Sequence, residues 1–254
     1  MNAKFKNTLL VALMLLASSA RSQNLFWSAQ YSGTIFEIAP NGVQTTFLSG
    51  MTYFPQGLTF DSAGNLLVAS FYSPDIYEYT LAGAQSTFLS GLTYFPQAMA
   101  FDSAGNLLVA AQNIPTIYEY TPGGVQSIYA TGLSYFPEGL AFDKAGNLYW
   151  SAQYSGTIFK ISPNGVQSTF LSGLSYFPQG LAFDNAGNLL VASLYSPDIY
   201  EYTPDGVLST YASGLSYFPE GLAIEPAPEP SVFGLLGICT IALLVGHCQL
   251  RKST

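Results

Sequence analysis

Pro178-Gln179-Gly180-Leu181-Ala182-Phe183-Asp184-Asn185-Ala186-Gly187-Asn188-Leu189 is one copy of a segment that returns along the whole chain. Its centre, Phe-Asp-x-Ala-Gly-Asn, begins at Phe60, Phe101, Phe142 and Phe183, with a spacing of 41 residues each time. A fifth copy opens as Gly221-Leu222-Ala223-Ile224-Glu225 and then breaks off at a proline-rich stretch. Upstream, Asn24-Leu25-Phe26-Trp27-Ser28-Ala29-Gln30-Tyr31-Ser32-Gly33-Thr34-Ile35 matches the segment Asn147 to Ile158 at three periods' distance. Self-similarity at a fixed period of this length marks a repeat architecture.

One period reads as four short strands. The first is Gly180 to Asp184, and the turn Asp184-Asn185-Ala186-Gly187-Asn188 leads into the second, Leu189 to Ser193. The third is Ile199 to Thr203, and Pro204-Asp205-Gly206 turns into the fourth, Val207 to Ala212. Glycine at such turns supplies positive φ without steric cost. Four strands in about 41 residues is the spacing of a propeller blade, whereas helical repeats would show a period of 3.6.

The phase of the repeat predicts how the ring shuts. The ordered part begins at a second strand and ends just after a first strand, so each kind of strand occurs five times if Gly221–Glu225 completes the sheet begun at Asn24. The expected fold is all-β: a five-bladed β-propeller over residues 24–225, closed by its C-terminal strand joining the first blade. Closure of this kind removes exposed sheet edges. Blades one and four match best, as do two and five, which suggests a three-blade unit copied once with a sixth blade lost.

The charge is unevenly placed. The 254 residues carry a formal net charge of −8, yet residues 24–225 hold 14 carboxylates against only Lys144 and Lys160, a net of −12. Nucleic-acid binding depends on Lys and Arg neutralising phosphates, so this surface would repel nucleic acid. Both cysteines, Cys239 and Cys248, and the single histidine, His247, lie in the C-terminal segment. Ser-His and Cys-His catalytic pairs are therefore unavailable to the propeller. A phosphate-cradling glycine loop with its lysine is also missing.

The two ends read as signals. Lys4 and Lys6 precede the apolar run Leu9–Ala17, and Ser18-Ser19-Ala20 offers small residues for cleavage, so residues 1–20 read as a secretory signal peptide. Residues 226–254 run from the linker Pro226-Ala227-Pro228-Glu229-Pro230 through an apolar Val232–Val245 to Arg251-Lys252. That is a rigid linker, a short membrane-inserting helix and a basic stop. The order of Pro228, Glu229 and Pro230, an apolar helix and a basic end resembles the PEP-CTERM sorting signal of Gram-negative bacteria. The resemblance implies processing by an exosortase-type membrane protease, after a stage in which the C-terminal helix holds the membrane. It also implies delivery to the cell surface, outer envelope or extracellular matrix; simple retention as a membrane anchor is the alternative. The Cys239, His247 and Cys248 group reads as incidental rather than as a metal site.

Strand alternation sorts the loops onto two faces. One face carries the Asp-x-Ala-Gly-Asn and Pro-x-Gly turns, where Asp61, Asp102, Asp143 and Asp184 are expected to bond their own turn backbones. The other carries Tyr-Phe-Pro followed by Gln56, Gln97, Glu138, Gln179 and Glu220. In a closed ring those five polar residues would encircle the mouth of the central channel. The same face bears Tyr31, Tyr72, Tyr154 and Tyr195, with Asn113 at that place in blade three. Tyr53, Tyr94, Tyr135, Tyr176 and Tyr217 belong to the Tyr-Phe-Pro loops and are expected to pack between blades. A tyrosine presents a flat apolar body with a polar tip, which suits sugar or protein surfaces.

The blade pattern Pro-x-Gly-Leu-Ala-Phe-Asp-x-x-Gly-Asn-Leu-x-Val-Ala, followed by Ile-Tyr-Glu-Tyr-Thr-Pro-x-Gly, resembles NHL-repeat and gluconolactonase-like (senescence marker protein) propellers. That resemblance implies metal ligands at the channel mouth. Glu138 and Glu220 would be the carboxylate ligands, Gln56, Gln97 and Gln179 would offer amide oxygens, and Ca²⁺ would be the cation suited to them. The chain departs from that family in placing Gln where Asn or Asp is expected and in having no His or Arg in the ring. Two functions follow as expectations. The first is a non-enzymatic binding or scaffold protein for a glycan such as exopolysaccharide, a peptide or a surface-protein partner. The alternative is a metal-dependent lactonase or hydrolase of the gluconolactonase-like type.

Overall fold

The computed structural model describes residues 23–227, in which five antiparallel four-stranded sheets stand in a ring. Blade one is formed by β1 (Leu25–Ala29), β2 (Thr34–Ile38), β3 (Gln44–Leu48) and the last strand, β20 (Leu222–Ile224). Blade two is β4 (Pro55–Phe60), β5 (Leu66–Ser70), β6 (Ile76–Tyr79) and β7 (Gln85–Leu89). Blade three is β8 (Pro96–Phe101), β9 (Leu107–Ala111), β10 (Thr116–Tyr120) and β11 (Gln126–Thr131). Blade four is β12 (Gly139–Phe142), β13 (Leu148–Ala152), β14 (Thr157–Ile161) and β15 (Gln167–Leu171). Blade five is β16 (Pro178–Phe183), β17 (Leu189–Ser193), β18 (Ile199–Tyr202) and β19 (Leu208–Ala212).

The expected five-bladed propeller is thus the observed fold, and its closure is the expected one. β20 pairs antiparallel with β1, placing Leu25 opposite Ile224 and Trp27 opposite Leu222. Backbone bonds from Ser28 N to the Gly221 carbonyl (3.1 Å) and from Glu220 N to the Ser28 carbonyl (2.9 Å) extend the seam. Among the described residues no helix is long and apolar enough to cross a membrane. The segments expected to be a signal peptide, a Pro228-Glu229-Pro230 sorting motif and an apolar helix lie outside the described residues.

The turns form for local reasons. In blade two, Asp61 Oδ1 accepts from the Ala63 and Asn65 backbone N–H groups at 2.9 and 2.8 Å, and Gly64 takes a φ of +82° to let the chain reverse. The same aspartate contacts recur at Asp102 and Asp143, and Asp184 keeps the bond from Asn188 N. The repeated aspartates therefore cap turns, as their spacing predicts.

Packing between blades makes the core. The second strand of every blade is buried along its whole length, because it lies mid-sheet with a neighbouring blade on each side. Five apolar clusters result, one for each junction; the cluster at the closing junction joins Leu25, Trp27 and Phe36 to Leu190, Ala192 and Ile199. Burial of such side chains stabilises by roughly 1.5–3 kcal/mol each. The domain stands on this packing without a disulfide between described residues.

The inner strands of blades two, three and five begin earlier than the Gly-Leu-Ala-Phe pattern indicates. In β16, Pro178 pairs with Ser193 and Leu181 with Val191, so one extra residue sits at Gln179-Gly180. The same irregularity occurs between Pro55 and Leu58 and between Pro96 and Ala98. A bulge of this kind bends the strand and re-aims the side chains on it.

Candidate functional site

In blades two, three and five the bulge lies at the glutamine after Tyr-Phe-Pro, and in all five blades the polar residue at that place faces the channel. Gln56, Gln97, Glu138, Gln179 and Glu220 together line a throat whose free space is about 10 Å³, room for about one water-sized group. Ser28 Oγ donates to the Gln56 carbonyl at 2.6 Å and Ser151 Oγ to the Gln179 carbonyl at 2.6 Å, which fixes the backbone beneath two of the five. Above the throat the channel widens to a bowl of about 430 Å³. The five polar residues are its floor.

Tyr31, Tyr154 and Tyr195 stand on the wall of this bowl, as do Asn113, Gln112, Phe71, Leu194 and Phe218. Tyr72 is exposed on the same face but is not among the lining residues; its ring lies against Phe71 (4.5 Å) and Phe54 (5.7 Å). The structure thus brings three of the four predicted tyrosines over the predicted ring and leaves the fourth outside.

The Tyr-Phe-Pro loops divide their two aromatics. In blades whose third strand reads Ile-Tyr-Glu-Tyr, the loop tyrosine turns inward: Tyr94 OH meets Tyr120 OH at 2.7 Å, and Tyr53 meets Tyr79 and Tyr176 meets Tyr202 in the same way. Each also stacks on a neighbour, as Tyr53 does on Tyr77 at 4.3 Å. Burial pushes the hydroxyls of Tyr53, Tyr94 and Tyr176 well above the ordinary phenol range. In blades one and four Ile38 and Ile161 stand where the hydroxyl partner would be, and Tyr217 and Tyr135 stack on Phe36 and Phe159 while remaining exposed.

The adjacent phenylalanines, Phe95, Phe136, Phe177 and Phe218, are exposed on the bowl face. The sequence reading passed over them. For Phe95 and Phe177 the available signal was adjacency, because each follows an inward tyrosine, Tyr94 or Tyr176, and successive side chains of extended chain point opposite ways.

The electrostatics of the floor are those of buried acids without a cation. Gln97 Nε2 donates to Glu138 Oε2 at 2.7 Å, and Gln179 hydrogen-bonds the Glu220 carboxyl. Burial still raises Glu138 to about 7. Glu220 rises to about 8, chiefly from burial and secondly from the charge of Glu138, with the Gln179 bond opposing. Near neutrality both carboxyls therefore carry much of their proton. The amide oxygens of Gln56, Gln97 and Gln179 are buried with no hydrogen-bond partner. Among the described residues no three His, Cys, Asp or Glu side chains converge as a metal cluster.

No protein-family model and no curated protein matches this sequence. Solved structures do resemble the fold. A chain of a nidogen/laminin complex is 16% identical with a TM-score of 0.62, covering 80% of this chain and 98% of that one. A gluconolactonase from Xanthomonas campestris is 16% identical with a TM-score of 0.60, covering 81% and 84%. Virginiamycin B lyase from Staphylococcus aureus, solved with quinupristin, is 16% identical with a TM-score of 0.51, covering 80% and 74%. At such identities what this chain shares with gluconolactonases and these other proteins is the β-propeller fold, on which unrelated sites are built.

Proposed function

We propose that the chain is an exported, surface-sorted propeller that binds a glycan, its producer's exopolysaccharide, in the aromatic bowl without catalysing a reaction on it. The observation that carries this reading is the pairing of flat aromatic walls, Tyr31, Tyr154 and Tyr195, with a floor of hydrogen-bonding amides. Aromatic faces cover the apolar faces of a sugar ring, and amides meet its hydroxyls. Export and sorting rest on the two terminal sequences, which read as a signal peptide and a PEP-CTERM-like tail.

Retention of the full-length protein on purified exopolysaccharide tests the reading. Replacing Tyr31, Tyr154 and Tyr195 together by Ala should weaken binding at least about ten-fold, the scale of losing one aromatic anchor, with no change in melting temperature. Unaltered binding by the triple variant would overturn it.

A second reading, a metal-dependent lactonase, is favoured by one observation: the three partnerless glutamine oxygens stand beside two carboxyls. An all-oxygen donor set suits Ca²⁺, which takes six to eight oxygens. Glu138 and Glu220 would hold it with the amide oxygens, and it would polarise a lactone carbonyl. Calorimetric titration with Ca²⁺, Mn²⁺ and Zn²⁺ tests it: the reading requires binding heat that Glu138→Gln with Glu220→Gln abolishes, and no heat, or heat unchanged in that variant, overturns it.

A further inference from the structure

The floor of the bowl is built from acceptors. Gln56, Gln97, Gln179 and Glu220 are only 3%, 5%, 5% and 5% exposed, yet the three amide oxygens have no partner. Buried polar atoms in native folds are nearly always paired, so three such atoms in one ring call for a donor from outside the chain. Rotating the Gln97 amide would remove its 2.7 Å bond to Glu138 Oε2 and set an oxygen against that carboxyl. Lys144 and Lys160, the two basic side chains of the described residues, are absent from both throat and bowl lining.

A small cationic group rich in N–H bonds suits this floor best, since its charge would draw the protons off Glu138 and Glu220 and pair with the carboxylates while its N–H groups reach the amide oxygens. The throat has room for about one water-sized group. A water molecule brings two donors to three vacant acceptors and no charge to two carboxyls. A sugar hydroxyl brings one donor. A primary ammonium brings three donors and a positive charge in a head of the same size, and aromatic faces above it attract that charge further.

We propose that the floor seats a primary ammonium group, carried by an unacetylated amino-sugar residue of the polysaccharide, with the sugar ring held between the bowl tyrosines. This rests on the glycan-binding reading above and names the ligand chemistry that reading leaves open. The upward shifts of Glu138 and Glu220 agree with it, since both acids lack a counter-charge. The net −12 of the propeller would also draw a cationic polymer toward it.

Calorimetry at pH 7 with the full-length protein compares glucosamine oligomers with the same oligomers N-acetylated. The amine form should bind at least ten-fold more tightly, and Glu138→Gln with Glu220→Gln should erase the difference. Gln already occupies three of the five positions, so the double variant is expected to fold, and an unchanged melting curve checks that. If it does not fold, Glu138→Gln alone should reduce the preference. Equal affinity for both oligomers, or a preference that survives the double variant, overturns the assignment. Binding of neutral exopolysaccharide without any amine preference also overturns it and leaves the glycan reading standing. Absence of binding to every glycan overturns both. Saturable Ca²⁺ binding that the double variant abolishes, with no amine preference, would give the floor to the metal instead.

Discussion

Gly221 in the last inner strand lies so close to Gln56 in the next that a Cβ placed on it would stand 2.0 Å from the Gln56 carbonyl oxygen. The same crowding occurs between Gly139 and the Gln179 carbonyl (2.0 Å), and between Gly180 and the Glu220 carbonyl (2.2 Å). Five blades bring their inner strands nearly into contact, which leaves the narrow throat. Glycine after four of the five polar residues, at 57, 139, 180 and 221, permits that approach.

Gly221→Ala should therefore lower stability by about 1–3 kcal/mol, the usual range for overpacking. Ala98 occupies the corresponding place in blade three, where the backbone has already accommodated a Cβ. Ala98→Gly should change stability by no more than about 1 kcal/mol. Urea denaturation of the two variants measures the contrast.

Buried serines at neighbouring places on the second strands should respond in opposite ways. Ser28 Oγ donates to the Gln56 carbonyl and accepts from Gly221 N at 2.8 Å, so Ser28→Ala should cost about 1–3 kcal/mol at the closing seam. Ser70 and Ser193 lie one place further along the second strands of blades two and five, where blade one has Ala29, and their buried hydroxyls have no partner. Ser70→Ala should be neutral or stabilising in a thermal melt.

Glu138 and Glu220 should make the propeller less stable as pH rises. Both have an ordinary value of 4.5 and are raised in the fold, to about 7 and about 8, so the folded state keeps protons that the unfolded chain has released. Unfolding free energy then falls from about pH 4.5 to about pH 8, by on the order of a few kcal/mol in total. Self-repulsion of the acidic surface acts in the same direction. Glu138→Gln with Glu220→Gln separates the two, since it should flatten most of the slope and raise the melting temperature at pH 8.

Tyr94→Phe should cost about 1 kcal/mol, because it leaves the Tyr120 hydroxyl buried beside an apolar ring. Tyr31→Phe, on an exposed side chain, should lie within about 0.5 kcal/mol of the parent. Differential scanning calorimetry resolves the pair.

How far the site could be read in advance depended on the kind of contact. Gln56, Gln97, Glu138, Gln179 and Glu220 were placed together by period alone, because residues 41 apart in a ring of copies fall at equal positions around one axis. Tyr31, Tyr154 and Tyr195 followed from the alternation of strand direction. Tyr72 could not be told from them, since its edge contact with Phe54 matches that of Tyr195 with Phe177 and only the closed ring shows which tyrosines line the bowl. The bulge at Gln179-Gly180 was equally hidden, for it answers to crowding at the axis rather than to any local preference.

The sequence by itself determined the strands, the turns, the blade count and the seam. Those depend on contacts within one hairpin, such as Asp61 with Asn65, and on a phase that leaves β20 for β1 to pair with. Only the tertiary structure decided the size of the throat, which glutamine oxygens are left without partners, and the rise of both floor acids. These depend on how tightly five inner strands converge, and that distance is a property of the closed ring, in which Gly221 meets Gln56 across more than 160 residues of chain.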